Sequence, residues 1–288
     1  MPVLIDIRRR IKSVRNTQQI TQAMKTVSTA KFRKAQRALL EARPWWHTLP
    51  PFLSEIFFWA RAEEHPLLQK REEKKVEAVV ITSDKGLAGA FNSNLLGASL
   101  SFLEKKAREA EVRLVLIGKK AVNFFRRHAF AVDRAYSDKT YKLTAEDLNE
   151  LAQFLVRLYV FNRVDAVYVI YNEFKSVLSP RITTNKLLPL EIPKKIEEQL
   201  VLPPDWEPEA LSLLNVLLPL YVENQIRHFF FESSAAEQAA RMMAMDNATE
   251  NAEELIRSLT LVLNKVRQAS ITKELLEIMT AVEALERR

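Results

Sequence analysis

The residues best placed for chemistry lie in Ser83-Asp84-Lys85-Gly86-Leu87-Ala88-Gly89-Ala90-Phe91-Asn92, where a strand-like run hands over to a helical one. At such a junction, backbone N–H groups and a helix N-terminus can hold phosphate. The stretch contains neither G-x-G-x-x-G nor G-x-x-x-x-G-K-S/T, and a strand-to-helix turn needs glycine for packing alone. Packing is therefore preferred to nucleotide binding. A second chemistry, cation contact with phosphate, is offered by Arg8, Arg9, Arg10, Lys12 and Arg15 and by Lys31, Arg33, Lys34 and Arg37. Their helix carries an apolar face for another helix and no interleaved aromatic beyond Phe32. Acidic protein loops fit these cations better than nucleic acid does.

The carboxylate pairs Glu63-Glu64, Glu72-Glu73 and Glu253-Glu254 sit in hydrophilic surroundings beside Lys or Arg, without the apolar pocket that raises a carboxyl pKa for acid catalysis. They read as solvated charges. Cysteine is absent, which removes disulfides, thiolate metal sites and thiol nucleophiles together. His47, His65, His128 and His228 lack paired H-x-x-x-H spacing, and no G-x-S-x-G elbow occurs. We expect no catalytic residue, no cofactor and no metal site.

The elements that must position these residues are unusual. Hydrophobic residues make up 48% and charged residues 27% of the chain, as in an ordinary folded protein, but glycine occurs only 4 times in 288 residues and never after Gly118. Long helices and few tight turns follow. Residues 1–43 hold 11 Lys or Arg against 2 acids, residues 44–208 hold 24 against 22, and residues 209–288 hold 8 against 12. The basic first arm and acidic last arm are suited to lie together.

Leu4, Ile7, Ile11 and Val14 form a helical stripe, which then meets Thr17, Gln18, Gln19, Thr21 and Gln22 before Ile20, Ala23, Met24, Val27 and Ala30 resume on a displaced face. Pro44, with Trp45, Trp46, Pro50 and Pro51 behind it, predicts that this helix stops near Arg43. From Tyr221 to Arg288 there are 68 residues without proline or glycine; at about 1.5 Å each they would extend roughly 100 Å, beyond what a globular domain encloses. Met245, Ala248, Ala252, Leu255, Leu259, Val262, Val266 and Ala269 step by three and four, the seam of a coiled coil. The economical partner is the first helix, antiparallel; a homodimeric coil is the alternative. Past Ala269 the seam rotates to Ile271, Leu275, Ile278, Val282 and Leu285, an apolar tip that needs another protein surface.

Between the arms, strand-like Val76–Ile81, Arg113–Ile117 and Val164–Tyr171 alternate with helical runs over Asn92–Ala110 and Lys119–His128 and a helix capped by Thr144 with Asp147 at the box position. That alternation predicts an α/β domain with a mainly parallel sheet. No run reaches the roughly 18 to 20 apolar residues of a membrane span; Leu211–Val222 comes closest and is broken by Ser212, Asn215 and Pro219. The N-terminus lacks the pattern of a signal peptide.

Ile7-Arg8-Arg9-Arg10-Ile11-Lys12-Ser13-Val14-Arg15-Asn16-Thr17-Gln18-Gln19-Ile20-Thr21-Gln22-Ala23-Met24 closely resembles the opening of the gamma subunits of F-type ATP synthases. In the same order, Ser83-Asp84-Lys85-Gly86-Leu87-Ala88-Gly89, Glu237-Gln238-Ala239-Ala240-Arg241-Met242 with Ala248-Thr249-Glu250-Asn251-Ala252, and Arg267-Gln268-Ala269-Ser270-Ile271-Thr272-Lys273-Glu274-Leu275 are similar to that family. The resemblance implies a long antiparallel coiled coil of the N-terminal helix (1–43) and C-terminal helix (209–288), with a Rossmann-like, mainly parallel α/β domain inserted at 44–208.

Functionally it implies a non-catalytic central-stalk rotor, one copy in an alpha3-beta3 ring, with the epsilon subunit and the c-ring at its foot. Rotation would couple proton flow to ATP synthesis or hydrolysis in the beta subunits, at the cytoplasmic face of a bacterial membrane and without membrane insertion. Carried over by motif, Met24, Lys25, Arg267, Gln268, Thr272 and Glu274 would face the catalytic ring, with Arg8, Arg9, Arg33 and Arg37 as electrostatic contacts and Glu207 in the foot. Ile278-Met279-Thr280-Ala281-Val282-Glu283 stands where the family has a Gly- and Ala-rich ending, making a bulkier tip. Rival expectations are a stand-alone nucleotide-binding enzyme with coiled-coil arms and a basic nucleic-acid scaffold.

Overall fold

The structure, a computed structural model, describes residues 2–60, 65–138, 143–176, 180–191, 207 and 209–286. The Glu63-Glu64 pair lies outside the described residues. In chain order the elements are α1 (Pro2–Ala60), β1 (Lys75–Ile81), α2 (Phe91–Lys106), β2 (Glu111–Ile117), α3 (Lys119–Phe125), β3 (Ala131–Tyr136), α4 (Ala145–Val160), β4 (Ala166–Glu173), β5 (Arg181–Leu188) and α5 (Ala210–Glu286). They form two units: a helical unit of Met1–Ser28 with Met242–Arg288, and an α/β unit of Thr29–Arg241.

In the α/β unit the strand order is β3-β2-β1-β4-β5. β1 pairs parallel with β2 and β4, β2 parallel with β3, and β5 antiparallel with β4. The expected parallel core is present, but β3 and β5 were not foreseen. Both are half-exposed edge strands, Ala131–Tyr136 carrying Asp133 and Arg134 and Arg181–Leu188 carrying paired threonines, so neither shows the apolar run of a central strand.

Side-chain alternation explains how the sheet is covered. Val76, Ala78 and Val80 of β1 join Leu95 and Leu103 of α2 and Phe125 of α3. Val79 and Ile81 join Leu151 and Leu155 of α4, Leu218, Val222 and Ile226 of α5, and Leu53 and Ile56 of α1 on the other face. Helix α4 starts where its sequence dictates: Thr144 Oγ1 accepts the Asp147 N–H at 3.2 Å, and Asp147 accepts the Thr144 N–H at 2.7 Å. That reciprocal box satisfies two donors the helix end would otherwise leave open.

The expectation that α1 ends near Arg43 is wrong. The helix runs to Ala60 with Pro44, Pro50 and Pro51 inside it. An interior proline costs about 3 kcal/mol, comparable with what burial of one large aliphatic side chain contributes. Leu49, Leu53 and Ile56 are all buried over this same stretch, so tertiary packing overrides the local preference. Trp46 adds a stack on His228 of α5, ring centroids 4.0 Å apart.

Two carboxylates flank the start of β1 and meet opposite fates. Glu73 receives Lys106 Nζ at 2.6 Å, Lys186 Nζ at 2.7 Å and the Tyr168 hydroxyl at 2.9 Å. Burial pulls its pKa upward, but these hydrogen bonds outweigh it and hold the group at about 2. Glu77 is fully buried on β1 with neither oxygen hydrogen-bonded. Burial, reinforced by Asp133, pushes it up to about 8, because Arg113, its register neighbour on β2, gives its guanidinium to Asp133 at 2.8 Å.

In the helical unit α1 and α5 run antiparallel. Thr21 and Thr249 share a hydrogen bond of 2.7 Å, and Lys25 Nζ meets Asp246 at 2.5 Å. The intramolecular pairing was expected; the seam positions were only partly so. On α1 the shielded line continues from Leu4, Ile7, Ile11 and Val14 straight through Gln18, Thr21, Lys25 and Ser28, an unbroken three-four spacing. The stripe does not move to the expected displaced face: Ile20 and Val27 are 60% and 55% exposed. On α5 the expected Met245, Ala248, Ala252, Leu259 and Val266 are shielded, but Thr249, Ile256, Leu263 and Ser270 join the shielded line, while Leu255, Val262 and Ala269 are exposed. The physical reason is that polar seam residues find partners across the pair, which hydropathy alone does not register.

Candidate functional site

The site assembles as a surface rather than a pocket of reacting groups. In the helical unit, apolar side chains that the seam does not use point outward. Ile20 and Val27 do so on α1, and Leu255, Leu261 and Val262 on α5. Farther along α5, Ile271, Leu275, Leu276, Ile278, Met279 and Val282 are 47–69% exposed. The expected apolar tip is thus present over the described side chains; those of Glu283 and Leu285 lie outside them. Exposed apolar area of this extent and continuity marks a protein interface.

The carried-over residues take distinct places. Arg8, Arg9, Arg267, Gln268, Thr272 and Glu274 are exposed in the helical unit, Thr272 donating to the Gln268 carbonyl at 3.0 Å along its own helix. Met24 is half-buried, and Lys25 is committed to Asp246 in the seam. Arg33 and Arg37 are exposed on the part of α1 that belongs to the α/β unit, and Glu207 is exposed. Sequence reasoning missed Asp246 and Thr249. The available signal was their spacing from Met245 and Ala252, read against Thr21 and Lys25 in antiparallel sense.

The turn after β1 is occupied by the protein itself. The Ser83 N–H donates to Asn92 Oδ1 at 3.1 Å, and Asp84 Oδ1 accepts from the N–H groups of Lys119 at 2.9 Å and Asp138 at 3.1 Å. Arg241 of α5, 2.8 Å from Glu237, donates to the carbonyls of Lys85 and Gly86 at 3.3 Å. Burial leads the upward shift of the Glu237 pKa, opposed by that arginine. Leu87, at φ 61°, is 62% exposed at the rim. These bonds fit the packing role and tie the turn to α5.

Gly118 is a second fixed point at this end of the sheet. It has φ +97°, and a Cβ there would lie 2.4 Å from the Thr82 carbonyl oxygen. Thr82 Oγ1 accepts from the Ala121 N–H at 3.0 Å and donates to the Ile117 carbonyl at 3.0 Å. Among the described residues no group of three or more acidic or histidine side chains could hold a metal ion, and no helix is long and apolar enough to cross a membrane.

Comparison with known proteins gives one consistent answer. The profile of a family described as ATP synthase matches residues 3–285. The ATP synthase gamma chain of Pelotomaculum thermopropionicum is 43% identical over 286 residues, covering 99% of this chain and 100% of that one. That of Solibacter usitatus is 46% identical over 293 aligned residues with the same coverage. Among solved structures, a chain from the central stalk/c-ring structure of the Tetrahymena thermophila mitochondrial ATP synthase superposes with TM-score 0.61 at 25% identity, over 80% of this chain and 99% of that one. A chain of the Euglena gracilis mitochondrial ATP synthase gives 0.63 at 20% identity, over 99% and 95%, a likeness of fold. With a seam that leaves apolar side chains outward, a turn pinned from α5, and sequence identity along its whole length, the chain belongs to the ATP synthase gamma chain family.

Proposed function

We propose that the chain is the central-stalk rotor of an F-type ATP synthase, one copy per alpha3-beta3 ring, carrying torque between the c-ring and the catalytic beta subunits. It carries none of the phosphoryl chemistry, which belongs to the ring. The single observation behind this reading is the helical unit: two helices paired through a continuous seam, with apolar residues on the outside and at the far end of α5.

The mechanics follow from that unit. Heptad pairing resists bending and sliding, because slipping either helix would separate Thr21 from Thr249 and Lys25 from Asp246. Outward apolar residues such as Val262 and Leu275 present area without directional bonds, which suits contact with three successive ring positions. Arg8, Arg9, Arg267 and Glu274, all exposed, supply charge contacts that salt weakens. Met24, Gln268 and Thr272 complete the ring-facing set, Arg33 and Arg37 meet acidic loops of the beta subunits, and Glu207 belongs to the foot with epsilon and the c-ring. The complex is peripheral at the cytoplasmic face of a bacterial membrane.

The test is co-expression with alpha and beta subunits from the same source, followed by sizing and an ATP hydrolysis assay. One copy per alpha3-beta3 ring with stimulated turnover is the expected outcome. A chain that elutes alone or as a homodimer, without stimulating the ring, would overturn the reading.

A further inference from the structure

Glu77, Arg113 and Asp133 stand on three adjacent strands, β1, β2 and β3, with one cation between two carboxylates. Glu77 and Arg113 are register partners, so their side chains leave the sheet on the same face, one strand spacing apart. Arg113 nevertheless turns the other way: its Nε donates to Asp133 Oδ1 at 2.8 Å, and one Nη donates to the same oxygen. Glu77 is left fully buried with both oxygens unbonded.

A β-bulge sets this choice. Leu114 pairs with Val132 and Val115 with Arg134, so Asp133 is the extra residue on β3. A bulge re-aims the side chain it inserts, here toward Arg113. β3 is an edge strand of the sheet, held on its one paired side by β2 and tied to α4 by Arg134 Nη1, which donates to Glu150 at 2.8 Å. The charges that bear on Glu77 are Asp133 and Arg113. β4 offers Val167 at its register position, α4 covers this face with Leu151, Leu155 and Tyr159, Lys75 two residues earlier on β1 is exposed, and Glu111 of β2 acts on Arg113.

We propose that the Arg113 guanidinium is a proton-controlled latch: while Glu77 is protonated it holds Asp133 and the β3 bulge, and when Glu77 ionises it swings to Glu77 and releases β3. Two negative charges then compete for one cation, and burial decides the winner. Asp133, on the edge strand, can turn to water, whereas ionised Glu77 is shut away from water and needs the cation more. The Arg113 side chain is 46% exposed and has room to swing. Burial keeps Glu77 protonated up to about pH 8, so the latch opens on the alkaline side. It lies within the α/β unit and does not depend on the rotor assignment.

The experiment is hydrogen–deuterium exchange of the full-length chain, followed over Ala131–Tyr136 with exchange times scaled to the intrinsic rate at each pH, and with urea midpoints recorded as a control on folding. Protection of β3 should fall about tenfold between about pH 6.5 and about pH 9. In Glu77→Gln, which cannot ionise, it should stay within about twofold. Asp133→Ala removes what the latch holds, so β3 should already be poorly protected at about pH 6.5 and change by less than about twofold on going to about pH 9. Equal protection of β3 at both pH values in the parent, a loss that survives Glu77→Gln, or a loss of undiminished size in Asp133→Ala would overturn the proposal; the last would mean that Glu77 acts by its burial alone, without the arginine.

Discussion

The two units solve opposite problems. The α/β unit packs a large apolar core on both faces of a sheet and closes it with its own helices, leaving scattered residues such as Phe161 and Val216 outside. The helical unit places threonine, lysine, glutamine and serine in part of its seam and leaves isoleucine, leucine, valine and methionine outside. Such an inversion teaches that hydrophobicity in the second unit serves contacts between chains, whereas in the first it serves folding. Polar seam pairs fix register at modest stability, and register is what a shaft must keep.

The sharpest break of the contrast would come from the α/β side. Gly118→Ala sets a Cβ against the Thr82 backbone at a positive φ, and should cost about 3 kcal/mol or more, seen as a lower midpoint in urea unfolding. An unchanged midpoint would mean that the sheet end is far more yielding than described.

Next in size is the pH dependence set by Glu77. An unfolded glutamate titrates near 4.5 and the folded group near 8, so the folded chain holds the extra proton between those values. Its contribution is fully present below pH 4.5 and falls away as pH rises through 8, by a few kcal/mol. Glu77→Gln should flatten that decline, and an equally steep slope in the variant would place its origin elsewhere. Glu73 runs the other way: depressed to about 2, it stabilises above pH 4.5 and is lost as pH falls through 2.

On the helical side the effects shrink. Lys25→Met and Asp246→Asn, with the double variant, should give a coupling of about 1 kcal/mol in thermal unfolding; no coupling would deny the pair a role in register. The smallest effect on the free chain belongs to Ile20→Ser with Val27→Ser, within about 0.5 kcal/mol of the parent. The same pair should weaken assembly with alpha and beta subunits, and a large loss of free-chain stability would show that these residues pack inward after all.

Legibility in the sequence followed the same divide. Val76–Ile81 and Arg113–Ile117 announce themselves as buried central strands because both faces demand apolar residues, and Thr144 with Asp147 announces a cap. Edge strands β3 and β5 do not, since one open side relaxes the pattern. Proline at 44, 50 and 51 misled because local propensity is weaker than the burial of Leu49, Leu53 and Ile56. In the seam of α5, Met245, Ala248, Ala252, Leu259 and Val266 were found; the rest was hidden, because Thr249 and Ser270 are shielded while Leu255 and Val262 are not. The motifs near both chain ends revealed the family, but which residues face each other needed Thr21–Thr249 and Lys25–Asp246 in space.

Glu77 also makes folding a proton-consuming reaction. Near pH 7 the unfolded carboxylate is ionised while the folded group, at about 8, is mostly protonated, so Glu77 draws a proton from the medium as the sheet forms. The calorimetric enthalpy of unfolding should therefore differ between buffers in proportion to their own ionisation heats, phosphate against Tris, even where the melting temperature is the same.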